Sequence, residues 1–275
     1  MAESGTCNEF ALLERLRDYL GSLDRLLISY SGGVDSSFLA VVAQECLPGR
    51  VVCVLLDSPL VPRKAIEAAR ERAEYAGIPL EVIPFPLLEE GRFRANQRDR
   101  CYVCKKEAAA ILHNRARTHG IGTIADGVNR TDLREFRPGI RAMDEAGVTH
   151  PLAACGFEKG DIRAVSQLLG LPFSRQESSP CLATRIPYGT DITREKLGAI
   201  EHAEEFLRSL GIEVLRVRLH GDCARIEVRP GDKEKVLSSG DEIYAKFRQI
   251  GIPYASLDLL GYRSGSMDEQ GNGPL

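Results

Sequence analysis

The chain has 275 residues, 43% of them hydrophobic and 27% charged, with no Trp and a formal net charge of −3. That length supplies a core for one large domain or two modest ones, and the acidic balance argues against a grip on long nucleic acid, which shows as a basic excess. No apolar run reaches the roughly 18 residues of a membrane span, and the start MAESGTCNEF lacks the basic and apolar segments of a signal peptide, so the expected location is cytoplasmic.

In chain order, apolar runs at 26–30, 51–56, 80–85 and 123–125 read as short buried strands, separated by amphipathic stretches at 35–46, 63–76 and 105–119. Strands alternating with helices predict parallel βαβ units, hence an α/β fold with a doubly wound, Rossmann-like parallel sheet. Pro62 suits the start of the helix at 63–76, and Gly77 with Pro79 suits its end. After about residue 180 the pattern changes. A helix is expected over 193–210, capped by Thr193 and stopped by Gly211. Strands at 214–219 and 224–228 follow, joined by the hairpin signal His220-Gly221-Asp222-Cys223, then a helix over 232–250 and a strand over 254–259. The division expected is a nucleotide domain at 1–180, a smaller α+β domain at 181–265 and a disordered tail at 266–275, with 176–191 connecting the two domains.

Ser31-Gly32-Gly33-Val34-Asp35-Ser36-Ser37 follows the first strand and opens the first helix. Glycines let the backbone approach an anion, and the free N–H groups of the helix start then face it. Ser31, Ser36 and Ser37 add donors, while Asp35 could orient the loop or hold Mg²⁺. Neither GxxxxGK[ST] nor G-x-G-x-x-G occurs at this loop, which disfavours a P-loop kinase and a dinucleotide site. The string resembles the PP-loop of the N-type ATP pyrophosphatases. That resemblance implies ATP cleavage between the α and β phosphates, with a substrate oxygen adenylated and AMP then displaced by a nucleophile. Asp57-Ser58, ending the second strand, matches the position that contacts the nucleobase, and Asp126-Gly127 ends a later strand where such folds line their crevice. Either carboxylate could instead cap a helix or turn.

Of eight cysteines, Cys101 and Cys104 form C-x-x-C at a helix start and Cys181 lies in SSPCLATRIPYG. Three thiolates suit an iron–sulfur cluster with one open iron. Zinc, thiol chemistry without a metal and inert cysteines are the alternatives. Cys46 and Cys53 fall in helix and strand patterns as apolar fillers.

Taken together, SGGVDSS, ADGVNRTDLREFRPG, TRIPYGTDIT, LRVRLHGDCARIEV and LDLLGYRSG resemble, in that order and over nearly the whole chain, the LarE family of pyridinium-3,5-bisthiocarboxylic acid mononucleotide synthases. The resemblance implies adenylation of a carboxylate of pyridinium-3,5-biscarboxylic acid mononucleotide and replacement of oxygen by sulfur, in assembly of the nickel-pincer cofactor of lactate racemase. It also implies ATP and Mg²⁺ as cofactors, a small-molecule substrate, sulfide or a sulfur-donor protein as partner, and a homo-oligomer. Arg137, Arg185, Glu204, Arg216 and Arg218 match substrate-site positions; a salt-bridged strand face or a solvated helix is the alternative for them. In the form of the family that sacrifices its own cysteine, that residue lies five before the arginine matching Arg185, where this chain has Pro180. The trio Cys101, Cys104 and Cys181 is instead similar to cluster-dependent members, so a [4Fe–4S] cluster carrying exogenous sulfide is expected. Rival readings are a tRNA base thiolase, an ammonia-dependent amide synthetase like NAD synthase, and a nucleotide-binding regulator with a degraded site. The acidic balance speaks against the first, the three cysteines against the second, and the intact loop with its paired arginines against the third.

Overall fold

The computed structural model describes residues 3–135, 137–176, 180–263 and 266–267. The chain forms two compact units: Met1–Ser58 with Arg63–Leu87 and Asp99–Ser179, and Pro59–Pro62 with Leu88–Arg98 and Pro180–Leu275.

The first unit opens with helix α1 (Glu3–Gly21), to which the sequence reading gives no element. Leu12, Leu13, Leu16 and Leu20 are buried at helical spacing, the signal that identifies it. Strand β1 (Leu26–Ser29), helix α2 (Val34–Cys46), strand β2 (Val51–Asp57), helix α3 (Arg63–Tyr75) and strand β3 (Leu80–Pro84) follow as expected within a residue or two. Helix α4 (Gly91–Arg94) belongs to the second unit. Helix α5 (Arg100–Thr118) starts five residues before the stretch expected from its amphipathic pattern and leads to strand β4 (Thr123–Asp126). Four further helices complete the unit: α6 (Arg130–Leu133), α7 (Pro138–Glu145), α8 (Pro151–Ala154) and α9 (Lys159–Leu168).

The four strands pair in parallel in the order β3-β2-β1-β4. Leu27 of β1 packs with Leu112, Ala116, Ile124 and Met143 in one core cluster. Leu26 and Ile28, which alternate with it, are equally buried and point to the opposite face. A sheet covered on both faces is the doubly wound arrangement. Because β2 and β4 flank β1 on opposite sides, the chain reverses direction across the sheet between β1 and β4, and the carboxyl ends there form the crevice used for ligands in such folds.

In the second unit, helix α10 (Arg194–Ser209) is capped as predicted: Thr193 Oγ1 accepts from Lys196 N at 3.3 Å. Strands β5 (Leu215–His220) and β6 (Cys223–Val228) form an antiparallel hairpin, turning at Gly221-Asp222 with Gly221 at φ 58°. The helix expected over 232–250 is two helices, α11 (Lys233–Ser238) and α12 (Gly240–Gln249), broken at Ser239 where Ser-Ser-Gly is a poor helix former. Strand β7 (Tyr254–Leu257) pairs in parallel with β6. It ends two residues before the expected bound because Asp258 Oδ1 accepts from Leu260 N and Gly261 N, both at 2.8 Å, and turns the chain. Two segments from the first half of the sequence are built into this unit. Leu182 N donates to Leu60 O at 2.8 Å, and Asn96, fully buried, donates from Nδ2 to Pro187 O and Thr190 O at 2.8 and 2.9 Å. Within the stretch expected as a disordered tail, Ser266 and Met267 are buried; the remaining tail residues lie outside the described ones.

Candidate functional site

The carboxyl end of β1 in the first unit opens into a sharp turn. Gly32 sits at φ 72°, and a Cβ there would come 2.3 Å from Ala69 Cβ of α3, so only glycine is accommodated. Gly33 is the N-cap of α2 and provides no side-chain cap, which leaves the first N–H groups of the helix directed out of its end. Around this turn, Ser31 Oγ and Ser36 Oγ are 3.0 Å apart, Gly33 N donates to Ser31 Oγ at 3.3 Å, and Ser36 Oγ donates to Gly33 O at 3.2 Å. Ser37 Oγ meets Tyr30 OH at 3.0 Å and is buried, which turns it toward the core side of the loop. The strand end at Gly127 lies directly against the start of α2: a Cβ there would be 2.8 Å from Ser36 N.

The carboxylates predicted for this end have distinct surroundings. Asp57 pairs with Arg63 at 2.6 Å, and Arg63 also donates to Ser58 O at 2.7 Å, closing a loop at the end of β2. Asp126 is buried and accepts from Val128 N at 3.0 Å and from His150 Nδ1 at 2.6 Å. Asp35 Oδ2 accepts from Asn129 Nδ2 at 3.1 Å. Burial, then the nearby charge of Asp132, push the Asp35 carboxyl above its ordinary range.

Four further side chains, to which the sequence reading assigns no role, shape this end. Asn129 and Asp132 form a reciprocal capping box on α6, legible as N-x-x-D by the rule for such boxes. Asp132 Oδ1 lies 2.9 Å from Lys159 Nζ at the start of α9 and 3.1 Å from Arg137 NH1, with Arg137 also held by Glu135 at 2.7 Å. His150 bridges Asp126 and, through Nε2 at 3.0 Å, Asp144. Burial lowers the His150 pKa, but the hydrogen bond and charge of Asp126, followed by those of Asp144, raise it more, and the net shift is upward. No local signal marks His150 or Lys159; their partners come from other parts of the sequence.

Cys101 and Cys104 lie in the first turns of α5, three apart and on one side of the helix. Cys101 is exposed and Cys104 half-buried. Gly139 of α7 brings its backbone against Lys105 and the Cys101 carbonyl. Cys53 and Cys155 are buried, and Cys46 is half-exposed rather than a fully buried filler. In the second unit Cys181 is exposed and precedes the 3₁₀ turn Leu182–Arg185. The described cysteines are thiols, and among the described residues no group of three His, Cys, Asp or Glu side chains is gathered as a metal site.

The second unit collects arginines around two buried carboxylates. Arg185 is fully buried and engages Glu204 through Nε at 2.9 Å and NH2 at 3.2 Å, while NH1 donates to Pro180 O and Cys181 O. Glu204 also receives Arg208 NH2 at 2.9 Å and Val217 N at 3.2 Å. Arg218 donates to Glu227 Oε2, Thr184 O and Ser266 Oγ. Arg216 differs. Its guanidinium lies 5.0 Å from the centre of the Tyr262 ring, and NH1 donates to Leu215 O at 2.6 Å. Glu227 stands opposite it in register but turns to Arg218 and Arg225, so Arg216 has no carboxylate partner among the described residues. Burial, with the like charges of Arg185 and Arg218 among the further causes, lowers its pKa. A half-buried cation without a counter-charge is the chemistry of an anion site.

The fold and the glycine turn define a Rossmann-like nucleotide domain of the adenine nucleotide alpha hydrolase type, with a separate small α+β unit. No family model matches the chain. It is 41% identical over 258 residues to an uncharacterised protein of Synechocystis, covering 93% of this chain and 96% of that one. It is 33% identical over 252 residues to the pyridinium-3,5-bisthiocarboxylic acid mononucleotide synthase of Lactiplantibacillus plantarum, covering 91% of each. A glutamine-hydrolysing GMP synthase component from Methanoculleus marisnigri is 26% identical over 74% of this chain and 70% of its own length. The chain belongs to the pyridinium-3,5-bisthiocarboxylic acid mononucleotide synthase (LarE) family. These relatives point to an ATP-using enzyme. No helix among the described residues is long and apolar enough to cross a membrane.

Proposed function

We propose that the chain is an ATP-dependent sulfurtransferase that converts a carboxylate of pyridinium-3,5-biscarboxylic acid mononucleotide to a thiocarboxylate. The observation that carries this reading is the uncapped start of α2 behind Ser31-Gly32-Gly33, ringed by serine hydroxyls, in a chain related along its length to a synthase of that product. In the reading, the N–H groups of the loop, with Ser31 and Ser36, bind the ATP phosphates; Ser37 braces the loop through Tyr30. Asp57 and Ser58 face the nucleobase, and Asp126 and Gly127 line the crevice. Arg216, the arginine without a carboxylate partner, takes a substrate anion, while Arg185, Arg218 and Glu204 hold the framework around it. Arg137 braces Asp132, which Lys159 also contacts.

Asp35 fits Mg²⁺: burial and Asp132 already disfavour its negative charge, and a divalent cation relieves both penalties. For an iron–sulfur cluster the donor chemistry fits, with Cys101, Cys104 and Cys181 as the thiolates, although no three-donor group is gathered among the described residues. A [4Fe–4S] cluster so held would supply an iron without a protein ligand to present sulfide. The substrate oxygen attacks the α-phosphorus and pyrophosphate leaves; sulfide then attacks the acyl carbon and AMP leaves with the original oxygen. The loop's contribution is to hold the phosphates as negative charge moves onto pyrophosphate.

The test is anaerobic incubation of the full chain with ATP, Mg²⁺, sulfide and the pyridinium substrate. The reading predicts substrate-dependent AMP and pyrophosphate and a product whose mass reports oxygen exchanged for sulfur. AMP formation with ammonia as the accepted nucleophile, and no sulfur product, would replace it with an amide synthetase.

A further inference from the structure

Helix α3 presents Ala69 and Arg72, three residues apart, to the back of the phosphate loop. Ala69 packs against Gly32, and its carbonyl accepts from Tyr30 OH at 3.4 Å. Arg72 NH1 donates to the Gly32 carbonyl. The guanidinium is half-buried and has no ion-pair partner among the described residues; Glu71, its neighbour in the chain, acts on it only through space. Burial lowers its pKa, so the charge is held there at a cost that the loop contact partly offsets.

The peptide joining Gly32 to Gly33 is trans, and in a trans peptide the carbonyl and the N–H point in opposite directions. A cation fixed on the Gly32 carbonyl therefore fixes the Gly33 N–H on the other side of the loop. There it donates to Ser31 Oγ at 3.3 Å, a long bond beside Ser36 Oγ that an anionic oxygen would replace with a stronger one. A cation on the carbonyl also polarises the peptide and strengthens its N–H as a donor. Gly32 has no side chain to hold the turn and occupies a left-handed conformation, so the orientation of this peptide depends on what grips it from outside.

We propose that Arg72 is a positioning residue for the nucleotide: it grips the Gly32 carbonyl from α3 and so keeps the Gly33 N–H aimed at the β- and γ-phosphate side of ATP. The inference rests on the reading of Ser31–Ser37 as the ATP phosphate loop. A purely architectural role, tying α3 to the loop, would weaken every ligand of the unit together with its stability. A positioning role acts on the polyphosphate alone.

The experiment measures the dissociation constants of MgATP and of AMP for the full chain and for Arg72→Met and Arg72→Lys, with the thermal midpoint of each. Arg72→Met is expected to weaken ATP about tenfold, the loss of one charge-supported hydrogen bond, and AMP by less than about twofold. Arg72→Lys, which keeps a cationic donor, is expected to recover most of the difference. An unchanged ATP-to-AMP ratio in Arg72→Met overturns the inference, and so does an equal loss of both ligands. If Arg72→Met does not fold, Arg72→Gln is read by the same ratio, with a smaller shift expected. If the unsubstituted chain binds no ATP, the reading of the loop fails first, an outcome distinct from failure of Arg72 alone.

Discussion

The Ser31–Ser37 loop and the arginine cluster present opposite solutions to placing charge. At the loop, the donors are backbone N–H groups and short hydroxyls contributed by seven consecutive residues, and the nearby carboxylate, Asp35, has a neutral amide as its hydrogen-bond partner. In the cluster, long cationic side chains are gathered from 185, 208, 216, 218 and 225, and Glu204 and Glu227 form ion pairs with all but Arg216. The first arrangement leaves an uncapped helix start among serine hydroxyls, and in the proposed function these donors receive a ligand. The second is a buried framework that holds one cation ready, and its members differ in what their removal should cost.

The largest effect is expected at Glu204. Replacing it with Ala leaves Arg185 buried without a counter-charge, a loss of about 3–5 kcal/mol in unfolding free energy by denaturant titration. Burial raises the Glu204 pKa, but the charge and hydrogen bond of Arg185 lower it more, so its folded value lies below the ordinary carboxylate range. Its contribution to stability is therefore present above that range and lost as pH falls through the lowered folded value. A Glu204→Ala protein that kept its stability would show the framework role to be wrong.

Arg216→Ala sharpens the contrast. It should lower kcat/KM for the pyridinium substrate by about 10- to 100-fold, the cost of one charge-assisted contact, while stability changes by less than about 1 kcal/mol. Loss of stability without loss of activity would place Arg216 with the framework instead.

The smallest effect is expected at His150. Its raised pKa means that its ion pairs with Asp126 and Asp144 contribute fully below the ordinary histidine value and fade as pH rises through the raised one. In unfolding titrations across that interval, the wild type should lose about 1 kcal/mol that His150→Asn does not lose. Parallel pH profiles for the two proteins would remove His150 from the account.

The same contrast explains what was legible in the sequence. The parallel sheet and the loop could be read because period, glycines and serines are local, and β1 to β3 with α2 and α3 fall where the pattern puts them. The break at Ser239 was local too, written in Ser238-Ser239-Gly240, yet an amphipathic stripe running through both halves masks it. By contrast, Asn96 holding the 186–190 turn and His150 holding Asp126 are long-range pairings that no short window of sequence contains. For Arg185, sequence similarity marks the position, but only the structure shows every nitrogen of its guanidinium already engaged inside the protein.

The central claim is that the loop spends ATP on sulfur insertion. Its most direct test is the ratio of AMP released to sulfur incorporated, measured anaerobically over several turnovers with sulfide and the pyridinium substrate. The account predicts one AMP for each oxygen replaced, with no AMP when the substrate is omitted. AMP release that proceeds without substrate, or a thiocarboxylate formed without AMP, would contradict it.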